Sequence, residues 1–155
     1  MKKIELGQTI GILANLGVLV GILLLVYELN QNRKMMEVQA RSDIANTLVN
    51  IQLEAATSPE LEAASVKADA GLPLTPVEAE QVADIESAYW TYRANVMYLY
   101  RSGLYEESEY LAQKDRWGQF LNRNAATRAH WCSRREQQSP EFAAEIDELL
   151  ETPCE

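Results

Sequence analysis

The sequence predicts an all-α protein in which a single N-terminal transmembrane helix continues into a soluble helical bundle. Three observations support this fold class: an uncharged apolar segment near the N-terminus, a lack of strand-like alternation, and repeated helix caps between apolar stripes. We expect residues 1–34 to form the membrane anchor, with the transmembrane helix at about 7–28. Residues 35–155 should form an acidic, all-helical domain.

The apolar segment is the first predicted element. Residues 6–27 carry no charge, and as a helix of roughly 1.5 Å rise per residue they would be about 33 Å long, close to the thickness of a bilayer core. Tyr27 then lies where an interfacial aromatic side chain is common. A cleaved signal peptide and a buried helix of a soluble protein are the alternatives. A signal peptide would end in a small-residue cleavage site, which this sequence lacks, and a buried helix of a soluble protein usually keeps a polar face.

The flanking charges predict the orientation of this helix only weakly. Lys2 and Lys3 precede it, while Arg33, Lys34 and Arg41 follow it. The slightly larger cluster after the helix favours a cytoplasmic C-terminal domain at a bacterial inner membrane.

The transmembrane helix also has a face of small residues. Helical spacing places them in one stripe bordered by an amide side chain, which could form hydrogen bonds across an interface: Gly7, Gly11, Ala14, Asn15, Gly17 and Gly21. Small residues four apart let two helix backbones approach closely in lipid. We therefore expect a homo-oligomer in the bilayer, which another membrane protein could join.

Each helix of the domain has a recognisable start or stop. Ser58 and Ser139 each precede a Pro-Glu pair, and Thr75 begins a capping box completed by Glu78. No Gly or Pro interrupts residues 28–57, so the first helix should run unbroken into the domain. The further helices are predicted at about 59–70, 76–102, 106–122, 125–137 and 140–150.

The charge of the domain excludes one class of partner. Of the 23 acidic side chains only Glu5 and Glu28 lie in the first 34 residues, together with four of the 14 basic ones. Residues 35–155 therefore carry a net charge of −11, which argues against a nucleic-acid partner.

One predicted helix, 76–102, is rich in aromatic side chains and is the most distinctive part of the domain. Such rings usually pack in a core. The alternative is a groove for a ligand or partner, lined by Tyr89, Tyr92, Arg93 and Tyr100. If Arg93 is buried, it should pair with an acidic neighbour such as Glu86 or with a residue on another helix.

The sequence predicts no catalytic, cofactor or metal site, and hence no enzyme. His130 and Cys132 lie two apart on a helix and so point in different directions. We expect Cys132 and Cys154 to be free thiols. A last helix reaching residue 150 would hold the two cysteines farther apart than the roughly 7 Å that a disulfide spans, unless the tail doubles back.

The layout resembles a family of small, uncharacterised bacterial inner-membrane proteins with one N-terminal transmembrane helix and a C-terminal helical domain. The matching stretches are Gln31-Asn32-Arg33, Ser58-Pro59-Glu60-Leu61, the run from Asn95 to Leu104, and Ser139-Pro140-Glu141-Phe142. The resemblance implies an anchored helical domain and no activity. The predicted role is therefore a non-catalytic scaffold or modulator of a membrane complex, with a membrane-tethered ligand sensor as the alternative.

Overall fold

The computed structural model describes residues 6–154, and all regular elements in that range are helical. They are α1 (Leu6–Thr57), α2 (Pro59–Asp69), α3 (Pro76–Arg101), α4 (Glu107–Arg123), α5 (Ala125–Arg134) with a short 3₁₀ turn (Arg135–Gln137), and α6 (Pro140–Asp147). The all-α prediction is confirmed, and so is the unbroken first helix. The chain divides into two compact units, Met1–Gln39 and Ala40–Glu155.

The described part of the first unit is the N-terminal portion of α1. Its large apolar side chains are exposed, from Ile10 through Leu29. Among the described residues, α1 is the helix long and apolar enough to cross a membrane, with a mean hydropathy of 2.5 in its most apolar window.

In the second unit the predicted caps begin the helices. The hydroxyls of Ser58 and Ser139 accept hydrogen bonds from the backbone N–H three residues later, each at 3.3 Å. Thr75 and Glu78 form the capping box, in which the Glu78 carboxylate accepts from the Thr75 N–H at 2.8 Å. Lys67 on α2 also pairs with Glu78. The hydrogen bond from Lys67 and that from the Thr75 backbone lower the pKa of Glu78 to about 2.

Gly103 ends α3, with a backbone φ of 68°. The Leu104 N–H then reaches back to the Leu99 carbonyl at 2.9 Å, which satisfies a carbonyl at the helix end. A side chain with a β-carbon adopts this left-handed conformation only at a cost.

The core of the second unit is built on tryptophan. Trp90 on α3 and Trp131 on α5 lie with ring centroids 4.6 Å apart, and Phe142 on α6 meets the Trp131 ring edge-on at 5.8 Å. Further buried side chains complete this core: Ile44, Val96, Met97, Tyr110, Trp117, Leu121 and Ile146.

The C-terminal tail overturns the prediction of free thiols, because Cys132 and Cys154 form a disulfide with their Cα atoms 5.4 Å apart. The predicted helix to residue 150 is too long: α6 ends at Asp147 and the chain turns back. The Asn122 side chain holds this turn, donating to the Leu149 carbonyl at 2.8 Å and accepting from the Glu151 N–H at 3.0 Å. Cys154 is thereby brought to α5.

Candidate ligand groove

Three of the four predicted groove residues line one surface groove of about 330 Å³. Tyr89, Tyr92 and Arg93 contribute its α3 wall. Tyr100 is not among the lining residues. Its ring stacks on Tyr110 at a centroid distance of 4.1 Å, so it packs against the core instead.

The other walls come from α1 and α4. Leu48 lines the groove from α1, and α4 adds Gln113, Arg116, Trp117 and Phe120. The α4 residues were not predicted. Their spacing of three, four and seven residues from Gln113 puts them on one helix face, and this mixed polar and apolar stripe is the signal that could have revealed them.

Arg93 is the most unusual residue of the groove because its guanidinium is buried, with only 5% of the residue exposed. Its Nη1 atom has no hydrogen-bond partner among the described residues. Aromatic rings surround the guanidinium carbon instead, at 4.2 Å from the Trp90 ring centroid, 5.7 Å from Phe120 and 5.8 Å from Tyr89. Cation–π attraction offsets part of the desolvation cost but leaves Nη1 unpaired.

Glu86 is an acidic neighbour of Arg93, as the sequence predicted, and the two charges act on each other, but Glu86 forms its hydrogen bond elsewhere. Its Oε1 accepts a hydrogen bond from the Thr127 hydroxyl on α5 at 2.8 Å, and its Oε2 is buried without a partner. Burial raises the pKa of Glu86, against the opposing effects of Thr127 and Arg93. Burial likewise lowers the pKa of Arg93 to about 10, which leaves the guanidinium charged at neutral pH.

Tyr92 provides a second buried polar group at the groove. Only 4% of the residue is exposed, and its hydroxyl has no partner at full hydrogen-bond geometry. Burial, the largest effect, raises the pKa of Tyr92, and a hydrogen-bonding interaction with the Gln113 side chain opposes it. The groove therefore combines a buried cation, whose Nη1 makes no hydrogen bond to the described part of the chain, and a buried hydroxyl with aromatic surface.

The polar cluster around Glu145 is paired within the fold. Glu145 accepts hydrogen bonds from the Tyr110 hydroxyl and from Arg101, and lies 3.0 Å from the Lys114 ammonium. These partners outweigh burial and lower the pKa of Glu145. Cys132 is held in the disulfide and is not available as a nucleophile for His130. No group of three or more metal-binding side chains occurs within residues 6–154.

The predicted small-residue face lies on the N-terminal part of α1. Its members Gly7, Gly11, Ala14, Asn15 and Gly17 are exposed, and Gly21 is half-buried. A β-carbon placed on any of the four glycines would have no neighbour within 4 Å. In the single chain this face is therefore open to a second helix.

No family model, curated protein or solved structure matches this chain. The resemblance to small bacterial inner-membrane proteins stays a prediction.

Proposed function

We propose that this chain is a non-catalytic, membrane-anchored binding protein whose helical domain holds a ligand in the groove between α1, α3 and α4. The observation that carries the proposal is the buried Arg93, whose Nη1 has no hydrogen-bond partner among the described residues, at an open groove of about 330 Å³. That volume lies at the lower end of the range typical of small-molecule sites, roughly 300–1,000 Å³. A pure scaffold has no need of such a groove, so ligand binding has the stronger support.

Groove occupancy can be tested with the full chain in phosphatidylcholine nanodiscs. Three probes share one apolar body and differ in charge: 4-phenylbutyrate, 4-phenylbutanol and 4-phenylbutylamine. We expect at least one of them to slow amide hydrogen exchange in peptides from α3 and α4. The matched variant Gln113→Trp fills the groove and should abolish that protection. If no probe protects these peptides, the binding function fails.

The cellular location that we propose follows from α1 and the disulfide together. The uncharged part of α1 would span the plasma membrane, with the acidic domain on the extracytoplasmic side. Disulfides persist in oxidising compartments and are rare in the cytosol, so the Cys132–Cys154 bond favours this side over the cytoplasmic one predicted from flanking charges. Protease added to intact cells or spheroplasts should digest the domain, whereas protection until lysis would contradict the orientation.

We further propose that the chain self-associates in the bilayer through the small-residue face of α1. Gly17→Ile combined with Gly21→Ile should lower the crosslinked dimer fraction in membranes several-fold, because the added side chains keep the two backbones apart. Leu19→Ile with Leu23→Ile changes the opposite face and is the matched control. If the two double variants crosslink to the same extent, the proposed interface is contradicted.

A further inference from the structure

The unbonded Nη1 atom of Arg93 indicates the chemistry of a ligand that would suit the groove. A buried cation is stable when an anion or a set of acceptors compensates it. The Trp90, Tyr89 and Phe120 rings supply only their π faces. The charge of Glu86 acts on Arg93, but Glu86 Oε1 accepts from Thr127 and its Oε2 makes no hydrogen bond within residues 6–154. An acidic group entering the groove would give Arg93 Nη1 the acceptor that the fold does not provide.

Arg116 places a second cation on the opposite wall. It lines the same groove from α4, and no described carboxylate lies within ion-pair distance of it. Arg116 is exposed whereas Arg93 is buried. The first can therefore attract an anion from solvent and the second can bind it away from water, where a charge-assisted hydrogen bond is strong.

The rest of the lining favours an apolar body on that anion. Trp117 and Leu48 contribute apolar surface to the walls, and Phe120 is 43% exposed. A second groove of about 410 Å³ shares Leu48, Tyr92, Gln113 and Arg116 with the first. A ligand longer than one ring can extend from one groove into the other.

We propose that the groove binds a small organic anion, with its acidic group on Arg93 and Arg116 and its apolar body against Trp117 and Phe120. This inference rests on the proposed binding function and names the class of its ligand. The Tyr92 hydroxyl and the Gln113 amide supply hydrogen-bond donors for the remaining oxygens of the acidic group.

Comparison of the three phenylbutyl probes tests the charge of the ligand. The full chain in phosphatidylcholine nanodiscs should bind 4-phenylbutyrate at least tenfold more tightly than 4-phenylbutanol, and should not bind 4-phenylbutylamine in the groove. Protection of α3 and α4 from hydrogen exchange gives both the site and the affinity. If the alcohol binds as tightly as the carboxylate, the anion inference fails while the binding function stands. If none binds, both fail.

Substitutions of the two arginines test which groups bind the acid. Arg93→Met keeps an apolar side chain in the groove and should weaken 4-phenylbutyrate binding by roughly 10- to 100-fold, the usual worth of a charge-assisted hydrogen bond. Arg116→Gln should weaken it several-fold. Arg123→Gln removes an exposed cation from the same helix outside the groove lining and should leave affinity unchanged.

The arginine variants also separate a ligand from an acidic segment of a second copy. If the groove binds another copy, Arg93→Met lowers self-association in detergent and the probes compete with it, which would overturn the small-molecule assignment. If circular dichroism shows that Arg93→Met does not fold, the anion proposal is tested by Arg116→Gln and by the comparison of 4-phenylbutyrate with 4-phenylbutanol. If Arg116→Gln and Arg123→Gln lose affinity for 4-phenylbutyrate equally, binding depends only on the overall charge of the protein, and the proposal is contradicted.

Discussion

Truncating Trp131 to alanine is expected to lower the free energy of unfolding of the helical domain by about 4 kcal/mol. The side chain is fully buried and packs against Trp90 from α3 and Phe142 from α6. Its loss would leave a cavity where three helices meet. Small domains have a total stability of roughly 5–15 kcal/mol, so the variant would be marginally folded.

A hydrogen bond from Trp131 adds to the stability that its packing provides. Trp131 Nε1 donates to the Asp147 carboxylate at 2.9 Å, and Arg135 binds the other oxygen of Asp147 at 2.8 Å. Trp131 thus joins α5 to the end of α6 as well as filling the core. Trp131→Phe keeps most of the ring volume but loses this donor, and should cost about 1–3 kcal/mol.

Urea denaturation of the full chain in detergent, followed by circular dichroism, measures both values. The control is Phe120→Ala, because Phe120 is 43% exposed at the groove and its removal leaves no closed cavity. It should cost about 1 kcal/mol or less. A loss for Trp131→Ala no larger than that of the control would show that the tryptophan pair does not support the core.

Local signals explain why most helix starts were predictable. Ser58, Thr75 and Ser139 act within four residues of their own positions, so the cap can be found in the sequence beside the helix that it begins. Gly103 is also a local signal, because it lies just after the helix α3 that it ends. The fold class therefore follows from the sequence with few alternatives.

The missed features depend on residues far apart in the chain. The end of α6 and the return of the tail require Asn122, which bonds to Leu149 across 27 positions. The hydrogen bond of Glu86 depends on Thr127, 41 positions away on α5. No local pattern encodes these two contacts. The α4 wall of the groove does have a local signal, the stripe from Gln113 to Phe120, but that stripe does not show which helix it will face.

Removing the Cys132–Cys154 disulfide is the second change with a large expected effect. The bond closes a loop with a sequence separation of 22, and the chain-entropy relation gives about 3 kcal/mol for a loop of this length. Cys132→Ser combined with Cys154→Ser should lose that stability, measured by urea denaturation of the full chain. Dithiothreitol should shift the urea denaturation curve of the wild type onto that of the double variant, and should leave the curve of the double variant unchanged.

The tail provides a matched comparison for this effect. Asn122→Ala removes the two hydrogen bonds that turn the tail while leaving the disulfide intact, and should cost about 1–2 kcal/mol. The cysteine variant should cost more, because without the disulfide the unfolded chain gains the loop-closure entropy that the bond had removed. If dithiothreitol leaves the wild-type curve unchanged while a thiol reagent shows that both cysteines have become reduced, the disulfide does not stabilise the domain. If a thiol reagent added during cell lysis finds both cysteines already reduced, the domain lies in a reducing compartment, and the orientation across the membrane must be the opposite of the one proposed.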